Sequence, residues 1–184
     1  MIPTQKHLDV QLKEFNMKIR QILIYSIIFP FVIFIQPQYA QPANIKINEI
    51  NLDELAEIIN NRDGKTLLIN IWATWCIPCR EEFPDLIKLT DQYEGKIDVV
   101  GISIDYPDEL ESKVYPFLNK FQINFTNYIS AEKNAEKFIN FLNIKWNGAL
   151  PASFIYDTEG EQVKLFVGKK SFEEFEEVVL EYTN

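Results

Sequence analysis

Two thiols three positions apart are the side chains best suited to chemistry in this chain. Cys76 and Cys79, in the stretch NIWATWCIPCREEFP at residues 70–84, are the only cysteines among its 184 residues. A C-x-x-C pair can be half of a metal site, a covalent staple or a reversible dithiol. Structural zinc requires four nitrogen or sulfur ligands. No other cysteine exists to complete such a set, and the single histidine, His7, stands far upstream; no metal is expected. A bridge across two intervening residues constrains the unfolded chain very little, which makes it a poor staple. It also sits awkwardly in a regular helical turn, where Cβ atoms at i and i+3 lie ~5–6 Å apart although a disulfide prefers ~3.8 Å. Such a bridge is easily reduced.

The flanking elements favour the dithiol. TLLINIWA (residues 66–73) is a short apolar run with the β-branched content of a strand buried on both faces, and a helix begins at the cysteines. Cys76 therefore falls at a helix N-terminus, where unsatisfied N–H groups and the positive end of the macrodipole favour thiolate, the reacting species. Pro78 agrees, since proline is tolerated in the first turn and not deeper. Cys79, one turn in, is more shielded. Cys76 is thus the expected nucleophile and Cys79 the resolving thiol. No Gly-rich phosphate loop is present and only 6 glycines occur in all, so no flavin or nicotinamide cofactor is expected beyond the Cys76–Cys79 disulfide itself. Reduction must come from an outside two-electron donor.

Around this centre the pattern alternates strands and helices. NLDELAEIINNRDG reads as a helix with an Asn51/Glu54 capping box, stopped at Gly64. The active-site helix carries Phe83, Leu86, Ile87, Thr90 and Tyr93 on one side, and IDVVGISI follows as a second buried strand. Helices are expected around residues 108–121 and 131–142, the second opened by Ser130. ASFIYD and EQVKLFVG form a hairpin across the turn DTEG, and a last helix starts from a Ser171/Glu174 capping box with Phe172, Phe175, Val178 and Val179 inside. The order predicts an α/β domain with a central mixed sheet and helices on both faces.

Composition restricts partners and place. Residues 41–184 carry 14 Lys plus Arg against 25 Asp plus Glu, a formal charge of −11, which repels phosphate backbones; nucleic acid is not an expected partner. Upstream, residues 17–40 combine Lys18 and Arg20 with an apolar run from Ile22 to Ile35. That run is the length of a signal-peptide core and shorter than the roughly 20 residues of a spanning helix, although an uncleaved membrane anchor is also consistent because Gln38 and Ala40 make a poor cleavage site. Either way residues 1–40 are a leader, with synthesis expected to start at Met17, and residues 41–184 are a domain outside the cytoplasm.

The segment WATWCIPCREEFP closely resembles the active site of the extracytoplasmic thioredoxin-like thiol-disulfide oxidoreductases of bacteria, a group that includes the cytochrome c maturation reductases. Pro84 occupies that family's kink position, VVGISID resembles its next strand, and WNGALPASFIYDTEG resembles the segment carrying its cis-proline. The resemblance runs from about Ile45 to the C-terminus. It implies a thioredoxin-like fold, Cys76 as nucleophile, Cys79 as resolving thiol, and Pro151 as the cis-proline beside them. It also implies a shallow client groove lined by Trp75, Ile77, Pro78 and Leu150. The implied partners are disulfide-containing client proteins and a membrane electron-relay protein as reductant, with the chain acting as a monomer.

The chain departs from relatives at two positions. Cytoplasmic thioredoxins bury an aspartate where Asn70 stands, and some extracytoplasmic members place a glutamate where Ile77 stands. A base for Cys79 is therefore not assigned: Glu81, Glu82 and Asp105 are candidates, against the alternative that all three are solvated surface charges. Trp72 is expected in the core, Trp75 exposed, and Trp146 either a loop anchor or part of the groove. Two other functions compete. Thiol peroxidases share the fold type but resemble P-x-x-x-T-x-x-C, whereas Thr74 precedes Cys76 by two and Ile69 replaces the proline. A binding or chaperone module would use the groove without redox turnover.

Overall fold

The computed structural model describes residues 12–20, 46–61 and 63–183, in two compact units, Met1–Gln41 and Pro42–Asn184. In the first unit, residues 12–20 form an exposed helix, α1, that includes Met17, Lys18 and Arg20. The apolar run expected to serve as signal or anchor lies outside the described residues, as does Ala40. Among the described residues, no helix is long and apolar enough to cross a membrane.

Among its described residues, the second unit contains six strands and five α-helices. In chain order these are β1 (Asn48–Ile50), α2 (Leu52–Asn60), β2 (Thr66–Trp72), α3 (Ile77–Gln92), β3 (Ile97–Ser103), α4 (Tyr115–Phe121), β4 (Thr126–Ser130), α5 (Ala135–Leu142), β5 (Ala152–Tyr156), β6 (Gln162–Val167) and α6 (Phe172–Tyr182). They build one sheet in the order β1-β4-β3-β2-β5-β6, parallel through β2 and antiparallel from β2 to β5 and β5 to β6. This is the expected mixed sheet.

Strand alternation sorts the core. Leu67, Ile69 and Ile71 pack with Leu55 of α2 and with Phe138 and Leu142 of α5, whereas Leu68 packs with Leu86 and Leu89 of α3 and Phe175 of α6. Trp72, on the same side as Leu68, meets Phe83 of α3 and Phe117 of α4, with ring centroids 4.8 Å and 4.9 Å away. Helices thus cover both faces, and the full burial of β2 follows from its central place.

Both expected capping boxes are present, Asn51 with Glu54 and Ser171 with Glu174. Three expectations need correction. α2 ends at Asn60, before Gly64, because the chain leaves the helix at Asn61 and turns with positive φ at Asp63 and Gly64. The segment expected as one helix over 108–121 is a 3₁₀ turn (Pro107–Glu109), a π turn (Leu110–Val114) and then α4, with Pro116 held in the first turn of α4, where a missing N–H does no harm. Ser130 does not open a helix: it ends β4, and Asn134 caps α5 by accepting from the Lys137 N–H at 3.0 Å.

Candidate active site

The C-terminal end of β2 delivers the chain into a turn at Ala73–Cys76, closed by the Cys76 N–H donating to the Ala73 carbonyl at 3.1 Å. A buried carboxylate holds this turn. Asp105, just past β3, accepts from the Thr74 N–H at 2.9 Å, the Thr74 hydroxyl at 2.7 Å and the Ser103 hydroxyl at 2.6 Å. Cys76 is the N-cap of α3, and its Sγ accepts from the Cys79 N–H at 3.2 Å. It is therefore placed at the end of the helix where backbone N–H groups favour a thiolate.

Cys76 and Cys79 are disulfide-bonded with Cα atoms 5.3 Å apart. Because Cys76 caps the helix with extended backbone, the bridge does not span a regular helical turn. Cys79 is fully buried and Cys76 retains 5% of its surface. Around Cys76, the side chains of Trp75, Ile77, Pro78 and Leu150 come together with Gly148 about an open depression of 420 Å³. Trp75 and Ile77 are among the most exposed large apolar residues, at 63% and 66%. The Leu150–Pro151 bond is cis; Pro151 is buried, and Leu150 lines the depression.

Trp146 belongs to the core rather than the depression. It stacks edge-on against Phe154 and donates from Nε1 to the Ala149 carbonyl at 2.9 Å, which fixes the loop that presents Gly148 and Leu150. Trp72 is fully buried, as expected.

The three candidate acids separate. Glu81 is a surface charge paired with Lys169 at 3.1 Å. Glu82 and Asp105 are 1% and 3% exposed, so the reading of all three as solvated charges is corrected for these two. Glu82 accepts from the Lys170 N–H at 2.7 Å and from Asn70 Nδ2 at 2.9 Å. Burial raises its pKa from 4.5 to about 7, against the pull of those two hydrogen bonds. It follows Cys79 by three positions on α3, so the two share one face of the helix with Cβ atoms roughly 5–6 Å apart. Sequence reading did not find Ser153, which accepts from Asn70 at 3.0 Å. The available signal was a polar residue interrupting each of two buried runs, Asn70 in β2 and Ser153 in β5, which the sheet register pairs directly. Among the described residues no cluster of metal-ligating side chains occurs.

Residues 36–164 match the AhpC/TSA family. The thioredoxin-like protein YneN of Bacillus subtilis (strain 168) is 29% identical over 119 residues, 65% of this chain and 66% of that protein. The thiol-disulfide oxidoreductase ResA of Bacillus thuringiensis (strain Al Hakam) is 30% identical over 114 residues, 61% of each chain. The chain thus spans less than two thirds of the length of these curated relatives. A crystal structure of a thiol:disulfide interchange protein of the thioredoxin family from Chlorobium tepidum TLS superposes with TM-score 0.56 at 25% identity, covering 66% of this chain and 82% of that one. The sheet and its helices are a thioredoxin-like fold.

Proposed function

The chain belongs to the AhpC/TSA family, and from that premise we propose that it is a thiol-disulfide oxidoreductase that reduces disulfides of client proteins. The observation that carries this reading is the pairing of Cys76, capping α3, with fully buried Cys79 beneath an apolar depression. Names of relatives agree, since ResA is a thiol-disulfide oxidoreductase. After reduction, the Cys76 thiolate attacks one sulfur of a client disulfide; a Cys76–client disulfide forms and the other client sulfur leaves as thiolate. Cys79 then loses its proton to Glu82 and attacks Cys76 Sγ, which restores the Cys76–Cys79 bond and releases the second client sulfur. Two electrons have passed to the client, and a membrane electron-relay protein returns them. Trp75, Ile77, Pro78 and Leu150 hold an extended client segment beside Cys76.

The place of action belongs to the same proposal. Lys18 and Arg20 ahead of an apolar run favour a leader over residues 1–40, read from Met17, that holds a monomeric domain outside the cytoplasm. Cytochrome c maturation is a fitting pathway for a reductase so placed. The experiment uses the full chain with a disulfide-bonded test protein and an external reductant. Cys76→Ser is expected to abolish reduction, and Cys79→Ser to accumulate mixed disulfides. Full activity in Cys76→Ser would instead indicate a binding module, and faster turnover of hydrogen peroxide than of disulfide would indicate a peroxidase.

A further inference from the structure

Asn70 lies in the middle of β2 with no exposed surface. Alternation puts it on the strand face of Leu68 and Trp72, towards α3. Its Nδ2 donates twice, to Glu82 Oε2 and to Ser153 Oγ, while its Oδ1 is buried with no hydrogen-bond partner. An amide oxygen left unpaired in a core is unfavourable enough to require a reason.

The reason lies in what surrounds Glu82. Its Oε1 faces the Lys170 N–H and its Oε2 faces the Asn70 N–H. Both partners are donors, which suits a carboxylate and not a carboxylic acid, whose O–H must find an acceptor. A backbone N–H cannot become one. Asn70 can, because half a rotation of its amide exchanges oxygen and nitrogen at nearly constant shape. The Ser153 hydroxyl can follow, since it accepts or donates as required.

We propose that Asn70 is a positioning residue that reports and sets the protonation of Glu82: its amide offers N–H to the ionised carboxylate and turns to offer Oδ1 once Glu82 is protonated. The proposal rests on the assignment of Glu82 as acceptor of the Cys79 proton. When Cys79 is deprotonated its S–H bond breaks, an O–H bond forms on Glu82, and that O–H donates to the turned Asn70. The proton returns to solvent or the departing client thiolate, and the amide turns back. The two orientations are unequal. Facing the carboxylate, Asn70 leaves one acceptor unpaired; turned, it leaves two N–H bonds unpaired. Asn70 therefore favours the ionised form and opposes the effect of burial. The other charged groups acting on Glu82 are Asp85 on α3, which raises its proton affinity, and Lys169 before α6, which lowers it.

The test is an NMR titration of the oxidised full chain, labelled with ¹³C and ¹⁵N at asparagine and glutamate. The Asn70 side-chain ¹⁵N and Glu82 carboxyl ¹³C shifts are expected to move with one midpoint. A scalar coupling between them across the hydrogen bond should be present above that midpoint and lost below it. Asn70→Leu, which removes the donor, should move the Glu82 midpoint up by about one pH unit. Asn70 signals that stay constant while Glu82 titrates overturn the proposal, and this measurement needs no variant to fold. If the two groups titrate together but Glu82→Gln leaves the pH dependence of mixed-disulfide resolution unchanged, the acceptor role of Glu82 fails and the coupling of Asn70 to Glu82 stands.

Discussion

Glu81 and Glu82 are chemically identical neighbours on α3 with opposite surroundings, one in solvent beside Lys169 and the other under the sheet. The buried one has its pKa raised from 4.5 to about 7 by desolvation, with a defined consequence for stability. A carboxyl raised in the folded state binds more protons folded than unfolded between these values, so its stabilising contribution is full below pH 4.5 and is lost as pH rises through about 7. The loss amounts to roughly 3–4 kcal/mol at ~1.4 kcal/mol per unit. Glu82→Gln should therefore unfold in urea with a midpoint that varies less with pH over this window, and should be more stable than the parent above neutrality. Activity has the opposite sign. A proton acceptor must be ionised, so resolution of a mixed disulfide should accelerate as pH rises through neutrality in the parent and lose that step in Glu82→Gln, as single-turnover release of a labelled client thiol will show. The sequence could name Glu82 as a candidate and not select it, because helical spacing alone does not reveal that Lys170, 88 positions later, closes over it.

At the level of elements, legibility followed signal strength. The capping boxes, the two buried central strands, the hairpin at Asp157–Gly160 and the helix starting at the cysteines all carry strong local patterns, and each occurs in the fold. β1 and β4 went unread. β1 is three residues long, and TNYIS in β4 alternates buried Asn127 and Ile129 with exposed or half-buried Thr126, Tyr128 and Ser130, so that one of its two buried positions is polar and no apolar run marks it. Both are strands because parallel partners are available, β4 on β3 and β1 on β4, which is tertiary information. Trp146 is a similar case: its type suited a groove, but its position after α5 lets Phe138 and Phe154 enclose it. Its role is to fix the loop ahead of Pro151 through the Ala149 carbonyl. Trp146→Phe keeps an aromatic ring, smaller than the indole, and removes the N–H donor. It should raise KM for a protein client several-fold by loosening Leu150, while reduction of a small aromatic disulfide that does not need the groove proceeds at the parental rate. Equal effects on both substrates would place Trp146 in the chemistry instead.

The whole domain adds a property that no single residue holds. Residues 41–184 carry a formal charge of −11, yet the depression at Cys76 is lined by Trp75, Ile77, Pro78, Gly148 and Leu150, with no charged side chain among them. Contact at the site is therefore apolar, while approach to it is governed by the field of the whole surface. Screening acts on that long-range field over a Debye length of about 8–10 Å and leaves short apolar contacts nearly untouched. Ionic strength should consequently separate encounter from chemistry. With a basic disulfide-bonded client, kcat/KM should fall several-fold as salt is raised from dilute buffer to about physiological strength or above. With an acidic client of similar size it should rise, and with an uncharged small disulfide it should stay level. The rate of mixed-disulfide resolution, which follows encounter, should not respond in any of the three. Stopped-flow measurement of both steps decides the matter: a resolution rate that tracks salt as strongly as kcat/KM would mean that surface charge acts on the thiols themselves and not on approach.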